Sequence, residues 1–371
     1  MSLILTEEQQ LLKSSANDLL NNKSPISALR ELRDNNYSTF NKSVYQEMVD
    51  MGFTALTIPD KYNGLNFGYV GLGQVLEETG KTLTMSPLIS SILFSATILR
   101  FSNNEQLKSK FLPLLMNGSH TMSFAIEEDF FHSPENIKFS ITESNEFYVL
   151  NGVKTFVIDG TTADSLIVVG KRKEELVFVH VNSNSKGISI KPNLMMDSWT
   201  YATIEFKDVE IKKEACIENK KGLDLLNKIL NIGYIGISAE MLGIIQESFD
   251  ITIKYLKERE QFGVKIGTFQ ALQHRASIMF SEIELCKSIV IKALKGIDQN
   301  LENLSILASL SKSKLGSALK MVTNEAVQMH GGIGVTDDAD IGFYLKRARV
   351  IQKLFGDVNY HLDRYAKLNG Y

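Results

Sequence analysis

Three hydrophobic periods succeed one another along the chain. Up to about residue 120 the apolar positions recur at three- and four-residue steps, the spacing of amphipathic helices. Thr6 and Gln9 form a capping-box pattern opening a helix through Leu19 and Leu20. Val44, Met48, Met51 and Leu56 continue the helical spacing, and Leu72, Val75, Leu76 and Thr79 give a further face. Between them "IPDKYNGLNFG" (58–68) is a turn-rich interruption with Pro59, Asn63 and Gly64. The run at 105–118 ends in Asn117-Gly118, a helix-stop signal.

The period then shortens to two. "EFYVLNGVKTFVIDG" (146–160) predicts two strands joined by a hairpin turn at Asn151-Gly152. Residues 165–171 and 175–182 are rich in β-branched side chains, and Ala202, Ile204 and Phe206 alternate with Thr203 and Glu205 as in a half-buried strand. From Gly222 the helical step returns, with Met241, Leu242, Ile245, Phe249 and Ile253, and further helices are expected across 268–297, 302–330 and 338–352. None of the six prolines lies beyond Pro192, which suits long uninterrupted helices. The layout is α+β, in three parts: a helical domain over 1–120, a β domain over 121–217 and a helical bundle over 218–371.

A length of 371 residues exceeds one compact core, in keeping with several packed units. The charge of −3 gives no bulk attraction to nucleic acid or a membrane surface. Cys216 and Cys286 stand far apart and in no metal-ligand spacing, so neither a disulfide framework nor a metal site is expected, and a reducing cytoplasm fits best. The N-terminal stretch lacks the basic and apolar regions of a signal peptide, and no segment is expected to reach the roughly 20 apolar residues of a bilayer span.

Several patterns carry candidate chemistry, each with a plainer reading. Lys257, Arg259 and Lys265 gather where one long helix gives way to the next; an arginine fork there can hold a phosphate, and a solvated helix end looks the same. "QMHGGIGVT" (328–336) places Gly331, Gly332 and Gly334 where backbone N–H groups can approach a ligand, as they also do in an ordinary helix-to-helix turn. His330 has no nucleophile near it in sequence and reads as a packed or capping histidine. Trp199 reads as a strand-edge anchor before a ring stacked on a ligand, and Glu127, Glu128 and Asp129 as a solvated acidic loop unless the flanking SFAI strand brings them into a pocket.

Taken in order, these stretches resemble the acyl-CoA dehydrogenase family of flavoproteins. "LTEEQQLL", "IPDKYNGLNFG", "FLPLLMNGSHTMSFAIEED" and "LNGVKTFVIDG" are similar to successive family motifs, and "EREQFGVKIGTFQALQHR" and "QMHGGIGVT" are the strongest matches. The resemblance implies an N-terminal helical domain, a central β-sandwich or barrel-like domain and a C-terminal four-helix bundle. It implies FAD, held between the β domain, the bundle and a neighbouring subunit. Arg259, Gln261 and Phe262 fall at family positions that reach the FAD pyrophosphate and adenosine in the partner subunit, and Gln270 at a nearby cofactor position in the bundle. Gln328, Gly331, Gly332 and Gly334 match the glycine turn against the cofactor, and Phe156, Ile158 and Asn359 fall at further cofactor positions. The implied reaction is α,β-dehydrogenation of an acyl-CoA: a carboxylate takes the α-proton while the β-hydrogen leaves as hydride to FAD. An electron-transfer flavoprotein is the implied acceptor, and a homo-dimer, homo-tetramer or heteromer the implied assembly.

The sequence departs from the family at the chemistry itself. In "LFGDVNY" (354–360) Phe355 stands at one family position of the catalytic glutamate, and its backbone N–H is expected to serve the thioester oxygen. Gly233 stands at the alternative position on the earlier helix, and Glu240 lies about 10 Å further along that helix. Asp357 is the remaining candidate base, with burial expected to raise its pKa; the same residue also suits a helix cap. Ile158 and Glu127 replace threonines near the flavin, and Phe156 replaces a tryptophan. Three further readings stay open: a catalytically degenerate subunit of a heteromeric dehydrogenase, a protein that binds acyl-CoA or flavin without oxidising the thioester, or a flavin monooxygenase of the same fold. "NIGYIGIS" (231–238) suggests room for a bulky acyl group.

Overall fold

The structure, a computed structural model, describes residues 3–35, 40–218 and 221–371; Met1 and Ser2 of the N-terminal stretch lie outside the described residues. The helices are α1 (Glu7–Lys23), α2 (Ile26–Asp34), α3 (Lys42–Asp50), α4 (Tyr69–Thr82), α5 (Thr97–Phe101), α6 (Glu105–Met116), α7 (Gly222–Glu258), α8 (Gln270–Asp298), α9 (Leu304–His330), α10 (Ile341–Ile351) and α11 (Val358–Leu368). A π-helical stretch, Leu88–Ala96, precedes α5. The strands are β1 (Met122–Ala125), β2 (Ser140–Glu143), β3 (Phe147–Ile158), β4 (Ser165–Arg172), β5 (Glu175–Asn182), β6 (Ile188–Leu194), β7 (Thr200–Lys212) and β8 (Cys216–Glu218), followed by the short β9 (Glu260–Gln261) and β10 (Val264–Lys265). Helices, then a sheet, then helices follow one another as the periodicity predicts.

The chain divides into two compact units. One gathers the chain up to Glu31, Tyr69–Thr84 and Tyr234–Tyr371, all helical apart from the β9–β10 hairpin. Its helices approach closely because glycines face backbone. A Cβ on Gly80 of α4 would fall 2.1 Å from the Glu240 carbonyl oxygen of α7, and one on Gly243 of α7 would fall 1.8 Å from that of Glu77. The N-terminus of α4 is closed by Asp298, whose carboxylate accepts from Tyr69 N–H at 2.7 Å and Val70 N–H at 2.9 Å. Deep in the same unit Arg347 donates from Nε (3.0 Å) and Nη2 (2.7 Å) to Oε1 of Glu240, with both side chains buried. Breaking such a pair strands a charge, at a cost of about 3–5 kcal/mol.

The other unit, Leu32–Gly68 and Met85–Gly233, is built on one eight-stranded mixed sheet. The path runs β6-β7-β3-β2-β4-β5-β8, with β1 alongside β4 in parallel register. The hairpin predicted at Asn151-Gly152 does not exist. β3 runs unbroken through both residues, pairing Ser140 with Asn151 on one side and Gly152 with Phe206 on the other. Gly152 instead marks a bulge, with φ at +141° and the Phe139 ring packed where a Cβ would stand, 2.7 Å away. The same residue type suits a turn or a bulge, and only the pairing of β2 and β7 decides between them.

One further expectation is corrected. α7, at 37 residues, carries an 18-residue window apolar enough by composition to cross a membrane. That window is 94% buried inside the protein, so its apolar surface is spent on packing.

Candidate functional site

The turn between α10 and α11 carries Phe355, Gly356 and Asp357. Phe355 is buried with φ at +51°, a left-handed conformation uncommon for a bulky residue, and Gly356 follows at +95°. Asp357 is the N-cap of α11: Oδ1 accepts from Tyr360 N–H at 3.0 Å, and Oδ2 accepts from Lys353 Nζ at 2.7 Å. The expected upward shift of its pKa is reversed. The Lys353 hydrogen bond holds the carboxyl below the usual aspartate range, with the Tyr360 N–H adding to it and partial burial opposing. Asn359 is exposed on the first turn of α11.

The alternative base position is closed by packing. A Cβ on Gly233 would lie 2.3 Å from Cε1 of Phe94, in the π-helical stretch. Phe94 in turn stacks on Phe124 with ring centres 5.7 Å apart. The room expected around "NIGYIGIS" is therefore filled at Gly233 by an aromatic ring. Glu240, the next acid along α7, is engaged by Arg347.

In the helical unit the hairpin between α7 and α8 holds Arg259, Gln261 and Phe262, all exposed. Phe262 is 92% exposed at φ +55°. Lys265 bonds Glu260 Oε1 at 2.6 Å, which leaves Arg259 as the hairpin's cation without a carboxylate partner among the described residues. Gln270 opens α8, also exposed. Gly331 ends α9 at φ +66°, and Gly331 and Gly332 have no atom within 4 Å of a notional Cβ, so their backbone is open to a ligand. Gly334 is buried against Val327, and Gln328 is exposed one turn earlier. His330 is the packed histidine expected: buried, Nδ1 2.7 Å from the Ala326 carbonyl, ring stacked on Tyr255.

In the β unit Phe156 sits half-buried at φ +49° beside a register shift in β3, and Ile158 is buried at the end of that strand. The acidic run is not the solvated loop expected, except for exposed Asp129. Glu127 turns to His132, Oε1 to Nδ1 at 2.6 Å, with both side chains largely buried. Glu128 accepts from the backbone N–H of Lys138 (2.7 Å) and Phe139 (3.1 Å) and from Lys154 Nζ (2.7 Å). Burial holds the Lys154 pKa down at about 8.

Four residues that the sequence did not single out stand beside these stretches, two in each unit. Lys312 and His361 are buried and hydrogen-bond backbone carbonyls of the α10–α11 turn. Lys312 sits on the face of α9 that carries Ala308, Leu315 and Leu319, and a lysine at a core position is a signal sequence alone offers. Thr161 and Thr200 have buried hydroxyls without a hydrogen-bond partner among the described residues. Nothing in their spacing marks them, because β3 and the start of β7 meet only through sheet pairing.

The chain matches two family descriptions: "Acyl-CoA dehydrogenase, N-terminal domain" over residues 6–119 and "Acyl-CoA dehydrogenase, C-terminal domain" over residues 220–368. It is 28% identical over 363 residues to a 3-(aryl)acrylate reductase of Clostridium sporogenes, covering 94% of this chain and 95% of the relative. It is 24% identical over 360 residues to the caffeyl-CoA reductase-Etf complex subunit CarC of Acetobacterium woodii, covering 94% of each. In fold it superimposes on the butyryl-CoA dehydrogenase of Megasphaera elsdenii with a TM-score of 0.92 over the whole of both chains, at 23% identity. The chain belongs to the acyl-CoA dehydrogenase family, oxidoreductases that act on CH–CH bonds.

Proposed function

We propose that this chain binds FAD and an acyl-CoA thioester and exchanges hydrogen at the thioester's α,β-carbons, with an electron-transfer flavoprotein as redox partner. The family matches over residues 6–119 and 220–368 carry this reading. Bound FAD supplies the hydride acceptor. The residues present suit it: Arg259, without a carboxylate partner among the described residues, offers a guanidinium for a pyrophosphate in the exposed hairpin that also holds Gln261 and Phe262, and Gln270 and Gln328 are exposed on α8 and α9 of the same unit. Gly331 and Gly332 leave open space where a side chain would stand, so a ligand can come close to their backbone. In the β unit Phe156 and Ile158 are proposed to pack on the flavin ring, and the Thr161 and Thr200 hydroxyls are donors without a partner among the described residues.

The Phe355 N–H is proposed to polarise the thioester oxygen as enolate charge develops. Asp357 is proposed to take the α-proton. To do so it must leave Lys353, an exposed tie worth at most about 1 kcal/mol, and give up its cap on Tyr360, worth about as much. A second reading, a subunit of a heteromer whose partner chain supplies the base, is favoured by the Phe94 ring that closes the Gly233 position. Purified protein titrated anaerobically with a panel of acyl-CoAs tests the first reading through bleaching of the flavin band. Asp357→Asn is expected to keep the flavin and lose bleaching. Unchanged bleaching would remove Asp357 from the chemistry, and a colourless protein that gains flavin only with a co-expressed related chain would support the heteromer.

A further inference from the structure

The α10–α11 turn is held harder than a loop needs to be. Phe355 sits at φ +51°, where a side chain crowds its own backbone, and such a conformation persists only when its surroundings impose it. Here three backbone carbonyls are gripped from inside the helical unit. Lys312 of α9 donates Nζ to Gly356 O at 2.9 Å and to Gln352 O at 3.2 Å. His361 of α11 places Nε2 3.0 Å from Phe355 O. A carbonyl only accepts, so Nε2 carries the proton. Both side chains are buried, Lys312 at 1% exposure and His361 at 0%. α9 and α11 approach closely beside this turn because Gly316 lacks a Cβ, which would fall 2.6 Å from Cγ2 of Val358.

An ammonium group is an expensive occupant of a core, and a methionine of equal length would fill the space more cheaply. No carboxylate among the described residues is hydrogen-bonded to Lys312, and Asp357, the acid whose charge acts on it, is committed to Lys353 and Tyr360. Burial accordingly pushes the Lys312 pKa down to about 7, with Asp357 opposing and Lys353 adding to the fall. What the group does touch is specific. Gln352 caps the C-terminus of α10, where carbonyls lack helical partners and a cation is favoured. Gly356 lies past Phe355 and in no helix. One nitrogen thus ties the backbone before Phe355 to the backbone after it.

We propose that Lys312 is a positioning residue for the thioester-binding N–H of Phe355, clamping the turn on both sides with His361 as the second clamp. The inference rests on the reading of Phe355 given above. Each peptide is planar, so fixing the carbonyls of residues 352, 355 and 356 leaves the segment between them little freedom, and the donor is aimed before the substrate arrives. Neither side chain needs to reach the substrate.

The test is the infrared carbonyl stretch of bound 2,2-dimethylbutyryl-CoA, which has no α-hydrogen to lose, measured on flavin-loaded protein at saturation. A hydrogen bond to the thioester oxygen lowers that frequency. The wild-type protein is expected to show the red-shift and Lys312→Met to lose most of it. Lys312→Met should also lower kcat by roughly 10- to 100-fold with KM changed less than about threefold, as a misplaced donor predicts. Should Lys312→Met fail to fold, His361→Leu and His361→Gln make the same comparison: glutamine retains an N–H donor and should recover the red-shift that leucine loses. A wild-type red-shift that survives in both Lys312→Met and His361→Leu overturns the proposal while leaving Phe355 in place. Absence of a red-shift in the wild-type protein overturns the reading of Phe355 itself, and the clamp with it.

Discussion

Asp357 shows how one side chain carries two claims that a single substitution can separate. As N-cap of α11 it satisfies the Tyr360 N–H. Asparagine caps a helix about as well as aspartate, so Asp357→Asn should lose only the exposed Lys353 pair, at most about 1 kcal/mol, while Asp357→Ala should lose the cap as well, about 1 kcal/mol more. Thermal melts of the two variants measure the cap; flavin bleaching in the asparagine variant measures the base. The sequence made both roles visible, because an acid directly before "VNYHLDRYAKL" is a cap signal wherever it falls. It did not show Lys353 four residues back closing on the other oxygen, which turns the pKa shift from upward to downward. Nor did it show Lys312, whose partners are backbone carbonyls 40 and 44 residues away.

At the scale of elements, the helices were legible and the sheet pairings were not. Helices of three turns or more declare themselves by local spacing and caps, and the Thr6–Gln9 capping box appears with both of its hydrogen bonds. Asn151-Gly152 misled because a strand is defined by neighbours that are distant in sequence. Gly233 repeats the lesson on a helix: the sequence shows a missing glutamate and suggests free space, whereas Phe94 occupies it. Adding even one methyl there forces the stacked ring to move, so Gly233→Ala is expected to destabilise the protein by about 1–3 kcal/mol. Phe94→Ala alone should cost about 3–5 kcal/mol. If the ring is the obstacle, the double variant will be more stable than the sum of the singles predicts, by at least about 1 kcal/mol in urea midpoints at constant m-value. Strict additivity would show that something other than Phe94 closes the position.

Across the whole molecule, acid should act first on the β unit. His180 of β5 and His120 both lie against the Phe111 ring, at 4.4 Å and 5.3 Å between ring centres. Burial pushes His180 down to about 4, with His120 and Lys110 adding to the fall, and burial also lowers His120 against the pull of Asp164. A histidine held neutral by burial binds its proton more weakly folded than unfolded, so the unfolded chain takes up protons first. Stability contributed by the neutral His180 is whole above its unfolded pKa of 6.5 and is lost as pH falls from there toward about 4. The loss by pH 4 is about 3 kcal/mol for this one group. Its Nε2 has no hydrogen-bond partner among the described residues, so the ring can be exchanged for an apolar one without stranding a polar neighbour. His180→Phe should therefore flatten the stability profile between pH 6.5 and 4 while leaving stability at pH 8 within about 1.5 kcal/mol of wild type, as a near-isosteric core change does. Urea unfolding followed by Trp199 fluorescence at stepped pH reads the β unit directly, because the chain's single tryptophan is buried there. An unchanged acid slope in His180→Phe would move the acid sensitivity to His120 and the groups around it.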